Sequence, residues 1–279
     1  MDLKPFFDSL EAGSRNEIKE ADGDYRVDGL LYCGVCKTAK QCRVTILGEE
    51  RTPMCLCKCG VEQREREKEK EKRIAFEKRV AELRKAGFAD GEMQRWTFAN
   101  DDGESGQVMS VARKYVENFE KMRSDGKGLL LFGDVGSGKT FAAACIANAL
   151  IEKGVPCMMT NFARIANTVQ GMFDGRQEYY DSFNDFPLLV IDDLSAERKT
   201  EYMQEIVFNV IDSRYRAGLP LIITSNLTAE ELKNPADVAY RRIFSRVLEM
   251  CIPLEVKGID RRRKNLKDSF GMYAQMLGI

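Results

Sequence analysis

The 279-residue sequence predicts an α/β fold with a mainly parallel sheet, preceded by a small cysteine-rich module and a charged helix. Three observations predict it. From about residue 88 onward, short apolar runs alternate with stretches of helical periodicity, the pattern of strands covered on both faces by helices. Cysteines 33, 36, 42, 55, 57 and 59 crowd together in a polar segment with too little apolar material for a large core. Between these zones, residues 61–86 mix acidic and basic side chains without a single Gly or Pro. The expected domains are therefore 1–60, 61–87 and 88–279.

Each element follows in order. In the first zone, residues 43–47 lean towards strand and Gly48 towards a turn. The second zone reads as helix, with Glu62/Arg66 and Glu69/Arg73 as i,i+4 pairs and Phe76, Val80 and Leu83 as an apolar stripe. It is expected to be a solvated spacer whose last turns dock on the neighbouring domain, with partner binding by the stripe as the alternative. In the third zone, 128–132, 155–160, 187–191, 221–224 and 248–256 read as strands. Residues 140–152, 162–173, 201–217 and 239–246 read as helices.

Composition narrows the function. With 43 Lys plus Arg against 44 Asp plus Glu, a net charge of -1 excludes a uniformly basic nucleic-acid coat. The absence of His excludes Ser-His-Asp triads and His-ligated metals. No stretch approaches the ~20 apolar residues of a membrane helix, and the opening segment has no leader pattern, so a cytoplasmic protein is expected. In a reducing compartment the clustered cysteines point to metal.

Gly133-Asp134-Val135-Gly136-Ser137-Gly138-Lys139-Thr140 fits G-x-x-x-x-G-K-[ST] between a predicted strand and a predicted helix. The glycines let backbone N–H groups converge on a phosphate, Lys139 reaches the β and γ oxygens, and Thr140 ligates Mg²⁺. Downstream, an apolar strand ends in Asp192-Asp193. Asp192 is expected to hold the metal through its water shell, and Asp193 to polarise the attacking water. A further apolar run ends in Thr224-Ser225-Asn226. If its strand lies between those carrying Lys139 and Asp192, Asn226 falls beside the γ-phosphate and orients the water.

These motifs, in this order, resemble an AAA+ ATPase. The whole third zone is similar to the DnaC/IstB group of replicative-helicase loaders and transposition helpers, including Arg95-Trp96-Thr97-Phe98 and Arg242-Ile243-Phe244-Ser245-Arg246. The resemblance implies that Arg246 is an arginine finger reaching the ATP of an adjacent subunit. It also implies that Arg262 is the sensor 2 arginine, within a register that Arg261 and Arg263 leave open.

Cys33-x-x-Cys36 with Cys57-x-Cys59, or with Cys55-x-Cys57, can supply four thiolates around Zn²⁺ across an intervening hairpin. Cys33, Cys36, Cys57 and Cys59 are the preferred set. An iron–sulfur cluster or unliganded thiols are the alternatives.

The expectation is an ATP-dependent loader that binds a replicative DNA helicase, helps place it on single-stranded DNA and forms homo-oligomers with ATP. The alternative within the fold is a transposition helper ATPase that binds target DNA. A small-molecule P-loop kinase gains nothing from Asn226 or a trans arginine, and intact Lys139, Thr140 and Asp192 argue against a zinc-ribbon binder with a degenerate ATPase.

Overall fold

The computed structural model describes residues 20–46, 48–88, 90–104, 106–194, 200–235, 237–258, 260, 270 and 273–278. The chain divides into two compact units, Met1–Glu77 and Lys78–Ile279.

The first unit is built from two small hairpins. Strand β1 (Tyr25–Val27) pairs antiparallel with β2 (Leu30–Tyr32), and the facing rings of Tyr25 and Tyr32 stack at 5.8 Å. Asp28 and Gly29 both have positive φ, the combination a two-residue hairpin turn requires. Strand β3 (Val44–Ile46) pairs with β4 (Glu49–Arg51) across a turn containing Gly48. Among the described residues of this unit, Leu31, Cys33 and Cys57 are its buried apolar side chains, too few for an ordinary core.

Helix α1 (Lys58–Gly87) follows. Arg66 pairs with Glu62 at 3.6 Å, while Arg73 turns to Glu77 at 3.7 Å, not to Glu69 as the sequence suggested. These exposed pairs contribute only a few tenths of a kcal/mol each. In the last turns, Val80 and Leu83 pack against the core of the second unit and Arg84 bonds Glu152 at 3.0 Å.

The second unit is a five-stranded parallel sheet. Helices α2 (Gly106–Glu117) and α3 (Phe119–Ser124) precede β5 (Gly128–Gly133) and α4 (Lys139–Glu152). Then come β6 (Cys157–Asn161), α5 (Phe162–Gln170), α6 (Arg176–Ser182), β7 (Leu188–Leu194), α7 (Glu201–Ala217) and β8 (Leu221–Ser225). Helices α8 (Ala229–Lys233) and α9 (Val238–Met250) lead into β9 (Cys251–Val256). The strand order is β6-β7-β8-β5-β9, and every described pairing is parallel.

Alternation sorts the side chains. Leu130, Phe132, Leu189, Ile191 and Ile223 face α5, α6, α7 and α9, whereas Leu129, Leu131, Leu188, Val190 and Ile222 face α2, α3 and α4. Both faces are covered, as the continuous apolar runs predict.

The structure moves some boundaries. The predicted strand 248–256 starts at Cys251, because Tyr240, Ile243, Phe244, Val247 and Met250 continue one buried helical face. The helix predicted over 162–173 stops at Gln170, before Gly171. Helices α2, α3, α6 and α8 were not predicted.

Candidate functional site

The C-terminal ends of β5, β7 and β8 converge on a cleft of about 520 Å³, the usual ligand position in an open parallel sheet. It is lined by Val135, Gly136, Ser137, Gly138, Lys139, Thr140, Asp192, Asp193, Thr224 and Asn226, together with Glu92, Trp96 and Phe141. The loop after β5 turns on glycines. Gly133 has φ 122°, and a Cβ there would meet the Val256 carbonyl oxygen at 2.7 Å. Gly136 has φ 75°, and its α-carbon lies against the Asp260 side chain. Ser137 Oγ donates to the Asp134 carbonyl at 2.7 Å and closes the loop. Helix α4 begins at Lys139, so its N-terminal N–H groups point into the cleft. Lys139 Nζ donates to the carbonyls of Gly133 at 3.0 Å and Asp134 at 2.6 Å.

Strand β8 lies between β7 and β5, the order on which the reading of Asn226 depended. Asn226 Nδ2 donates to Asp193 Oδ1 at 2.9 Å. Asp193 has φ 61°, uncommon for a residue with a side chain, at an irregularity where the β7–β8 register shifts between Ile191 and Leu194. Thr224, given no role from sequence, holds this bend. Its hydroxyl accepts the Asp193 N–H at 2.8 Å and donates to Asp192 Oδ1 at 2.6 Å. Its only sequence signal was its place beside Asn226.

Arg246 does not line this cleft. Its guanidinium pairs with Asp212 Oδ1 at 2.7 Å, as an ion contact and not an aligned hydrogen bond, and lies over the rings of Phe208 and Tyr215. Asp212 also pairs with Arg216. Arg262 lies outside the described residues.

In the first unit the Sγ atoms of Cys33, Cys36, Cys57 and Cys59 all fall within 4.8 Å of one another. Cys33 to Cys59 is 3.6 Å and Cys57 to Cys59 is 3.3 Å, close to the ~3.8 Å expected between sulfurs bound tetrahedrally to zinc. Cys42 and Cys55 are not in this group, and Cys55 Sγ faces the Ala39 carbonyl at 3.6 Å. The N–H groups of Cys36 and Val35 point at the Cys33 sulfur and lower its pKa. The Cys59 N–H and the Thr38 hydroxyl draw Cys36 down to about 5. Cys59 goes the other way, pushed up to about 12 by the sulfurs of Cys57 and Cys33 beside it. Four crowded thiols whose ionisations oppose one another are what a divalent cation relieves, so the donor set fits zinc. Behind the cluster, buried Asp24 accepts from the Gly34 N–H at 3.0 Å and pairs with Lys40 at 2.5 Å, fixing the Cys33–Cys36 turn.

Among the described residues, no helix is long and apolar enough to cross a membrane.

Comparison with known proteins agrees with this arrangement. The replicative helicase loader DnaI of Bacillus subtilis (strain 168) is 27% identical over 201 residues, 67% of this chain and 64% of that protein. The replicative helicase loader DnaC of Escherichia coli (strain K12) is 26% identical over 129 residues, 45% of this chain and 51% of that protein. The chain therefore spans less than two thirds of the length of these relatives. A crystal structure of DnaI superposes with a TM-score of 0.50 at 25% identity, covering 61% of this chain and 96% of that one. The IstB-like ATP binding protein family matches residues 61–269. Since that match takes in every strand of the parallel sheet and the whole cleft at its edge, the chain belongs to the IstB-like ATP binding protein family.

Proposed function

We propose that the protein is an ATP-hydrolysing loader that binds a replicative DNA helicase and helps place it on single-stranded DNA. The observation that carries the reading is the pairing of Asp193 with Asn226 in the same cleft as Lys139. One side of the cleft is built to hold phosphates and the other to hold and polarise a water. Lys139 releases the loop carbonyls and neutralises the β and γ oxygens. Thr224 holds the Asp193 backbone N–H and Asn226 its carboxylate, which accepts the proton of the attacking water. Magnesium supplies positive charge to the phosphate oxygens when bound, and Thr140 and Asp192 are the side chains that would hold it.

Arg246 acts in trans in this reading, leaving Asp212 when a neighbouring subunit presents its nucleotide, so ATP favours the homo-oligomer. Arg262 is the sensor 2 arginine in this reading. The zinc-bearing first unit grips the helicase. The similarity to two helicase loaders supports this reading, while 32% identity over 125 residues to a putative insertion sequence ATP-binding protein of Sinorhizobium fredii supports a transposition helper that binds target DNA as the second reading.

The test is a pull-down from host lysate with ATP present. Recovery of the replicative helicase as the dominant partner, followed by ATP-dependent transfer of that helicase onto circular single-stranded DNA, is expected. Recovery of a transposase without helicase would replace this reading with the second.

A further inference from the structure

One face of α7 holds the guanidinium of Arg246. Phe208, Asp212, Tyr215 and Arg216 recur along that helix at intervals of three and four residues, so their side chains stand in one row. The guanidinium lies 4.6 Å from the centre of the Phe208 ring and 5.6 Å from that of Tyr215, with Asp212 Oδ1 2.7 Å from its Nη1. The Tyr215 hydroxyl donates to Glu249 of α9 at 3.0 Å and ties the row to the helix that carries Arg246. Yet Nη1 is buried without an aligned acceptor. Charge and ring faces hold this arginine, and it leaves them more readily than it would leave a two-bond carboxylate fork.

Asp212 carries a second cation. Arg216, one turn along α7, pairs with the same carboxylate. Side-chain exposure ranks the three: 8% for Asp212, 30% for Arg246 and 71% for Arg216. A carboxylate so buried is costly to leave unpaired. With Arg216 in place, the departure of Arg246 leaves Asp212 still paired, and two cations on one carboxylate also repel each other. Asp212 therefore opposes release of Arg246, and Arg216 eases it.

We infer that Asp212 and Arg216 are positioning residues that form a latch on Arg246. Asp212 keeps the guanidinium on its own subunit, and Arg216 takes over the carboxylate when a second copy of the chain draws Arg246 towards its nucleotide. The inference rests on the trans reading of Arg246 above and deepens it, by stating what restrains the arginine before assembly. The fraction of chains with Arg246 released scales the apparent affinity between copies, so the latch sets the protein concentration at which hydrolysis begins.

The test is ATP hydrolysis by the full-length protein at saturating ATP, measured against protein concentration. Asp212→Asn keeps the side-chain shape and removes the charge. It should lower the concentration for half-maximal rate by about 3- to 10-fold, the range for one ion pair at the edge of burial. Arg216→Gln should raise that concentration by a similar factor, because release of Arg246 then strands the carboxylate. Arg216→Lys should restore the wild-type curve. The double variant Asp212→Asn with Arg216→Gln should follow Asp212→Asn, since no anion is left to hold. Affinity for a non-hydrolysable ATP analogue, by calorimetry, should stay within about twofold throughout and certify that each variant is folded.

A purely structural role would lower activity in both single variants, so shifts in the same direction, or superposed curves, overturn the latch. If Asp212→Asn no longer binds the analogue, the exposed Arg216 decides, and an Arg216→Gln curve that is unmoved or moved downward in concentration overturns the latch. Mixing Arg246→Ala with Lys139→Ala separates the two readings. Restored activity with unmoved latch curves keeps the trans arginine and removes the latch, whereas a co-assembled mixture without activity removes both.

Discussion

Thr224 holds the Asp192 carboxylate and the Asp193 backbone N–H, and Asn226, two residues on, takes hold of the Asp193 carboxylate. The two acids are thereby set apart. Asp192 is tied to the strand, while Asp193 projects from a left-handed bend that only its partners maintain. In the proposed function Lys139 meets ground-state phosphates and Asp193 the water, so Lys139→Ala should abolish ATP binding while Asp193→Asn keeps binding and loses hydrolysis. Equal loss of nucleotide affinity in both variants, measured by calorimetry, would refute that division. Thr224→Val removes both hydroxyl bonds at constant shape. It should leave ATP affinity intact and lower kcat by about 10²-fold, because the carboxylate is misplaced and not lost; an unchanged kcat would show that Asp193 holds its bend unaided. Arg246 has its own test. An arginine finger is worth about 10³ to 10⁵ in rate, so Arg246→Ala should bind ATP and fail to hydrolyse it. Mixing it with Lys139→Ala should restore activity, since some interfaces then combine both intact residues. A mixture that co-assembles and stays inactive would leave Arg246 as no more than the partner of Asp212 on α7.

Among the elements, α7 depends on a side chain that sequence reading passed over. Arg214 is fully buried, and its guanidinium donates to the carbonyls of Pro220, Phe183, Phe186 and Pro187, between 2.8 and 3.1 Å. Burial lowers its pKa to about 9. The fork closes the loops that enter β7 and β8, the two strands that deliver Asp192, Asp193 and Asn226. Lysine keeps the charge but cannot reach several carbonyls in one plane. Arg214→Lys should therefore cost about 2–4 kcal/mol, read as a fall in Tm of about 10 °C by calorimetry. A Tm unchanged within a degree or two would mean that water replaces the fork at no cost.

At the scale of the whole molecule, the two units draw stability from different sources. The second has two apolar layers on its sheet, while the first has Leu31, two buried cysteines and the four-sulfur cluster. Metal binding to such small modules is worth on the order of 10 kcal/mol. Purified protein should carry one zinc per chain by elemental analysis. A chelator should expose the amides of 25–60 to hydrogen exchange and leave β5 to β9 protected. Loss of protection in both units together, or an intact first unit without metal, would contradict this independence.

The sequence by itself determined what is contiguous. The phosphate loop from Gly133 to Thr140, the acidic end of β7, the charged helix and the apolar strands all declare themselves through spacing within a few residues, where backbone geometry alone decides which side chains meet. Unpredicted helix α2 belongs here as well: it carries Val108, Met109, Ala112, Tyr115 and Val116 at helical spacing, a pattern the strand-and-helix reading passed over. What only the tertiary structure decided was juxtaposition across long loops. Asn226 meets Asp193 because β8 lies between β7 and β5, and no local pattern encodes strand order. The spacing of the cysteines left Cys55 and Cys57 interchangeable with Cys57 and Cys59, until the fold of the first unit brought Cys59, and not Cys55, beside Cys33. Arg246 matched a motif, yet Asp212, Phe208 and Tyr215 on another helix fix where its guanidinium rests. In the second unit the packing of both faces of the sheet selects these partners, through contacts between residues far apart in the chain whose loop-closure entropy only a complete core offsets.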